Sequence, residues 1–142
     1  EPGGVNEVLR RLARSGLGGP MADGRQYVSW MHATDFCRAI DWLIARENAR
    51  GVYNLSAPEP ETNAEMMRLF RQAVGAPFGL PAARWMLEIG SVLLRTETEL
   101  IVKSRRVVPR RLLDEGFVFS FPAMAGAIAD LETHTTTTPC KS

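Results

Sequence analysis

Cysteine and histidine are scarce in this chain: only Cys37, Cys140, His32 and His134 occur. No pair of them stands at a zinc spacing, and two cysteines so far apart give no disulfide framework. Cys37 falls inside an apolar helical pattern and is expected to be a buried, inert thiol. Long apolar runs are missing too, since none approaches the roughly 18 residues that cross a bilayer. The opening Glu1-Pro2-Gly3-Gly4 lacks the basic-then-apolar order of a signal peptide, so a cytoplasmic protein is expected. Neither sign of charge is in excess: 17 basic residues against 16 acidic ones leave a net +1. That balance points to neither nucleic acid nor a membrane as partner. The motifs G-x-x-x-x-G-K-[ST], G-x-S-x-G and H-E-x-x-H are all absent.

What is present is one domain's worth of ordinary globular sequence: 142 residues, 45% hydrophobic and 23% charged. Val5, Val8, Leu9 and Leu12 recur at helical spacing. A glycine-rich loop from Gly16 to Gly24 follows, and then Arg25 to Met31, whose aromatic and β-branched residues predict a strand. Thr34 or Asp35 is expected to cap a helix with Phe36, Ile40, Leu43 and Ile44 on its apolar face. Gly51 ends it, and Val52 to Ser56 predicts a buried strand. Thr62 and Glu65 have the spacing of a capping box for a helix with Met66, Leu69, Phe70, Ala73 and Val74 on one face. Pro81 suits the start of another helix, carrying Trp85, Ile89, Val92 and Leu93. The stretch 97–103 fits a helix or a strand. A short helix follows Pro109, Phe117 to Phe121 predicts a strand, and a last helix uses Met124, Ala127, Ile128 and Leu131. The Thr-rich tail is low in complexity and is expected to be disordered.

Three features can carry chemistry. The glycine stretch follows a helix and precedes a strand, the reverse of a dinucleotide-binding turn. It is expected to be a tight loop, with the floor or lid of a ligand site as the other reading. On a strand, Gln26, Trp30 and His32 share one face, and with Asp35 nearby they suit a polar ligand. Residue chemistry alone favours the plainer reading, in which Trp30 and His32 are core and Asp35 caps a helix. Lys103, Arg105, Arg106, Arg110 and Arg111 can hold a phosphate, although a solvated basic face is favoured.

Several segments, taken in order, resemble one family. They are Pro2-x-Gly-Gly, Gly16-Leu-Gly-Gly-Pro20, Gly24-Arg-Gln26, Trp30-Met-His-x-x-Asp35 and Tyr53-Asn-Leu-Ser-Ala-Pro58, followed by Ser104-x-Arg-Val-x-Pro109-x-x-Leu112, Gly116-Phe-x-Phe119 and Pro122…Ala127-Ile-x-Asp-Leu131. The chain thus resembles the C-terminal part of epimerase-like members of the extended short-chain dehydrogenase/reductase superfamily, the NAD-dependent epimerase/dehydratases or nucleoside-diphosphate-sugar epimerases. Ala22 stands where the family usually has glycine, Met31 where isoleucine is usual, and Arg105 where glutamine is common. The resemblance implies that the glycine-rich nucleotide turn and the Tyr-x-x-x-Lys pair lie upstream. Neither Tyr27 nor Tyr53 has a lysine four residues on.

The resulting expectation is α/β: the last parallel strands and helices of a Rossmann-like NAD(P)-binding fold plus a small, mostly helical substrate lobe, with the N-terminal nucleotide-binding half absent. Residues 1–60 supply late Rossmann strands and the glycine loop, 61–132 the helical lobe, and 133–142 the tail. NAD(P) is expected to be bound mainly by the missing half, with no cofactor or metal on this chain alone. Gln26, Trp30, His32 and Arg105 are the candidate substrate contacts, no residue is assigned as catalytic, and a nucleotide sugar is the substrate class implied. The missing half, or self-association, is the expected partner. The alternative is a stand-alone, non-catalytic module that binds a protein or an anionic ligand, and a remnant with no stable fold is a third reading.

Overall fold

A computed structural model describes residues 5–80 and 104–134. The readings for 81–103 and for the tail beyond His134 lie outside the described residues. Those described fall into two units, each assembled from stretches distant in sequence. The first comprises 5–28, 61–80 and 104–105, and the second 29–60 and 106–134.

In the first unit the expected amphipathic start is helix α1, Val5–Arg14, which packs on α3, Asn63–Ala73. Leu9 and Ala13 meet a buried stripe that includes Met66, Met67 and Phe70. The cap is as expected: Thr62 Oγ1 accepts from the Glu65 N–H at 3.3 Å, while the Glu65 carboxylate engages Arg68. The strand expected over 25–31 shortens to β1, Tyr27–Val28, which pairs antiparallel with β2, Glu61–Thr62. One residue on, the Arg105 N–H reaches the Tyr27 carbonyl at 3.1 Å.

The loop between α1 and β1 is fixed by close packing. Leu80 is bracketed by it, donating to the Gly16 carbonyl at 2.8 Å and accepting from the Gly19 N–H at 3.0 Å. A Cβ on Gly79 would stand 2.6 Å from the Gly18 carbonyl carbon and 2.7 Å from the Gly19 nitrogen, so only glycine fits there. Ala22 sits at φ 54°, in the left-handed region that glycine tolerates without strain. Ala22→Gly is therefore expected to stabilise the chain by up to ~1 kcal/mol, the relief of left-handed strain outweighing the added unfolded-state entropy. A urea midpoint that falls in the variant would refute this.

The second unit holds α2, Ala33–Ile44, α4, Arg110–Asp114, and α5, Met124–His134. Its centre is Ala39, Leu112 and Phe117, with Met31, Trp42, Leu43, Tyr53, Leu55 and Phe119 packed around them. Trp42 and Phe119 both meet Phe117 edge to face, with centroids 5.7 and 4.8 Å away. On α5 the expected Met124, Ala127 and Ile128 are buried.

Four expectations need correction. Segments 52–56 and 117–121 form no ladder and stay irregular. In place of a ladder, single bonds tie neighbouring segments. The Ala57 N–H reaches the Trp30 carbonyl at 2.6 Å, Val107 N–H donates to Ser29 Oγ at 2.9 Å, and Ser56 Oγ donates to the Val107 carbonyl at 3.2 Å. Serine hydroxyls occupy positions that a strand would fill with backbone. The cap of α2 is His32, not Thr34 or Asp35, because its Nδ1 accepts from the Thr34 N–H. The face of α2 read as buried is largely exposed, since the helix docks through Asp35, Ala39, Trp42 and Leu43. Cys37 is exposed as well.

Candidate functional site

The four candidate contacts divide between the units: Gln26 and Arg105 belong to the first, Trp30 and His32 to the second. Gln26 is only 6% exposed. Its Nε2 donates to the Met21 carbonyl at 2.9 Å, and Asn63 Oδ1 accepts from the Met21 N–H at 2.7 Å. Two amides thus grip one residue of the glycine loop from both sides, as a neighbouring strand would. Gln26 Oε1 is buried without a partner, an acceptor left for a donor to meet. Arg105 is exposed, and its backbone sits on Tyr27 beside Gln26.

In the second unit the Trp30 indole N–H donates to the Glu59 carbonyl at 2.8 Å. His32 is 7% exposed, with the Phe121 ring 4.1 Å away centroid to centroid. Because Nδ1 accepts the Thr34 N–H at 3.2 Å, the neutral ring carries its proton on Nε2, which lies 3.4 Å from Asp130 Oδ2. The Trp30 indole and His32 Nδ1 are therefore engaged by the protein's own chain, whereas His32 Nε2 is buried and makes no hydrogen bond.

Asp35 was the least expected participant. It is fully buried, and its two oxygens accept the Ser120 and Phe121 N–H groups at 2.8 Å each, with Arg38 Nη1 at 2.8 Å on Oδ1. One carboxylate on the first turn of α2 thereby fastens the segment that leads into α5. The nearest sequence signal was Arg38 three positions later, a spacing that pairs with Asp35 on a helix.

A second cluster joins Tyr53, Arg111 and Glu115. The Arg111 guanidinium lies 3.9 Å over the Tyr53 ring and donates to the Arg50 and Val52 carbonyls and to Glu115. Tyr53 donates its hydroxyl proton to Glu115 Oε2 at 2.8 Å. That bond, with help from Arg111, holds the Glu115 carboxyl below its usual range. Partial burial, then the Glu115 carboxylate, pushes the Tyr53 hydroxyl up. Arg111, expected on a solvated basic face with phosphate binding as the other reading, is instead committed to the loop it braces. Lys103 lies outside the described residues.

A shallow groove of about 350 Å³ in the second unit is lined by Arg38, Asp41, Trp42, Gly116, Phe117 and Val118. Among the described residues nothing fits a dinucleotide. The glycine loop does not open a helix after a strand, and Gly18, Gly19 and Gly79 are packed against one another. No helix among the described residues is long and apolar enough to cross a membrane.

Residues 82–131 match a family model described as a domain of unknown function, DUF1731. The chain is 35% identical over 134 residues to the mouse epimerase family protein SDR39U1, covering 91% of this chain and 43% of the mouse protein. It is 32% identical over 133 residues to the epimerase family protein SERP0438 of Staphylococcus epidermidis, with 92% and 43% covered. The crystal structure of human epimerase family protein SDR39U1 (isoform 2) with NADPH superposes with a TM-score of 0.80 at 28% identity, over 94% of this chain and 44% of the human one. The chain thus spans less than half the length of these relatives. Fold and sequence together define its fold class, the C-terminal portion of a Rossmann-like α/β protein. The resemblance is to the C-terminal part of the epimerase family.

Proposed function

We propose that this chain is the substrate-side portion of an NAD(P)-dependent, sugar-nucleotide epimerase-like oxidoreductase and is not catalytically complete by itself. The observation that carries the proposal is the 0.80 TM-score match to 44% of a protein solved with NADPH. In such proteins a nicotinamide takes and returns hydride at a substrate carbon while the protein orients the two. Because no described residue fits the dinucleotide, NAD(P) is assigned to another part of a longer polypeptide, and no chemical step is assigned to this chain.

Gln26, Trp30, His32 and Arg105 are its proposed substrate-side residues. Gln26 offers the buried Oε1 acceptor and Arg105 an exposed cation suited to a diphosphate. Trp30 and His32 act through their rings and by fixing the chain around them. A cytoplasmic setting belongs to the same proposal.

The test compares NADPH binding by the 142-residue chain and by the longest natural polypeptide that contains it. The longer polypeptide should gain about 2.7 kcal/mol of stability at a ligand concentration near 100 Kd, and the short chain should gain nothing. An equal shift in both, or in neither, would overturn the proposal.

A further inference from the structure

Asp23 is followed by Gly24, and no other Asp or Asn in the chain precedes a glycine. The fold demands glycine there: φ is +71°, and a Cβ would stand 2.9 Å from the Pro20 Cβ and 3.1 Å from that of Ala64. No side chain therefore shields the Gly24 nitrogen. Asp23 itself is exposed, and its Oδ1 accepts the Arg25 N–H at 3.0 Å. That bond spans the Gly24 nitrogen, so the carboxyl carbon is carried alongside the one backbone amide with which it can close a five-membered ring. A single hydrogen bond, to the Met21 carbonyl at 3.0 Å, holds that amide's proton. Asp35, Asp41, Asp114 and Asp130 instead lie within α2, α4 and α5 and precede Phe36, Trp42, Glu115 and Leu131. A helix directs each following amide into its own backbone hydrogen bonds, and a bulky neighbour crowds it.

We infer that Asp23–Gly24 is a site of spontaneous backbone modification, at which Asp23 converts to isoaspartate in the folded chain. The Gly24 nitrogen loses its proton and attacks Cγ of Asp23. A C–N bond forms, the Cγ–O bond of the protonated carboxyl breaks, and the hydroxyl leaves with the amide proton as water. The product is a five-membered succinimide. Water then opens the ring at the former backbone carbonyl, which restores the atoms lost and leaves the chain running through Cγ. The sum is an isomerisation, with no oxidant, reductant or co-reactant beyond water. It lengthens the backbone by one methylene where the loop is most tightly tied. The Gly24 carbonyl accepts the Ala64 N–H at 3.0 Å, the Gln26 carbonyl accepts the Asn63 N–H at 2.9 Å, and the Gln26 amide grips Met21. These bonds satisfy the leading N–H groups of α3 and hold Gln26 in place, so conversion loosens both. The inference stands apart from the function proposed above.

The experiment holds the native 142-residue chain for weeks at physiological temperature in a mildly acid buffer and then maps its peptides. The peptide carrying Asp23 should split into two of equal mass and different retention, the newer one resisting a protease that cuts before aspartate. A transient form lighter by one water marks the succinimide. Conversion at Asp23 should exceed that at Asp35, Asp41, Asp114 and Asp130 by roughly tenfold or more, because helical amides are reached only through local opening. Asp23→Asn should convert faster than wild type, since ammonia leaves an amide more readily than water leaves a carboxyl. Asp23→Glu should stay unconverted, since its attack must close a six-membered ring. The converted fraction should melt below the unconverted one, which reads the loosened loop. No isoaspartate at Asp23 in the native chain would overturn the site, whether or not the same chain in urea forms it there. Conversion spread evenly over all the aspartates would overturn it as well. A melting midpoint unchanged by conversion would refute the link to α3 and Gln26.

Discussion

Asp35→Ala is expected to cost the chain about 2–5 kcal/mol, because two backbone N–H groups lose their acceptor at roughly 1–3 kcal/mol each. The substitution strips the Ser120 and Phe121 N–H groups of their acceptor and frees Arg38 at the same time. Asp35→Asn keeps the shape but turns one acceptor into a donor facing a backbone N–H, and about 1–3 kcal/mol should be lost. Urea denaturation of the three proteins gives the ordering directly. Equal midpoints for wild type and alanine variant would show that the carboxylate fastens nothing.

Leu112→Ala should cost about 2–5 kcal/mol, through lost burial plus the cavity left behind. Leu112 is fully buried on the single turn of α4, where Ala39 and Phe117 close around it. A one-turn helix has little strength of its own, so this contact decides whether α4 forms at all. Leu112→Met preserves volume and should cost less than about 1.5 kcal/mol. If both variants lose the same amount, the site responds to chemistry other than packing volume.

How far the sequence disclosed these features depends on how local their causes are. The cap at Thr62 was legible because donor and acceptor stand three residues apart. Met124, Ala127 and Ile128 were legible as the buried side of α5 because a period is a local property. Asp35 was not, since its partners are backbone N–H groups 85 and 86 positions away, and any residue but proline supplies such a group. The amide grip on Met21 escaped for the same reason. On α2 periodicity identified apolar positions correctly but not which neighbour each would meet, and Cys37 was misplaced with them. The strands expected over 52–56 and 117–121 depended on ladder partners, which propensity does not supply. At the candidate site residue types suited to a polar ligand were legible, but not that the Trp30 indole N–H and His32 Nδ1 already face partners within the chain while His32 Nε2 makes no hydrogen bond.

The alternation of the two units along the chain has a consequence for synthesis. Asp35 emerges 85 residues ahead of Ser120, and at roughly 5–20 residues per second the ribosome takes about 4–17 s to supply its acceptor's partners. Throughout that interval residues 29–60 form an open half of a unit, with the core side of α2 uncovered and a carboxylate among apolar neighbours. The residues made meanwhile, 61–80, belong to the other unit and can complete its α1 and α3 pairing first. Translation therefore imposes an order: the first unit's helices can close while the second waits for its last thirty or so residues. During that wait the nascent chain presents to chaperones the surface that Leu112 and Phe117 later cover.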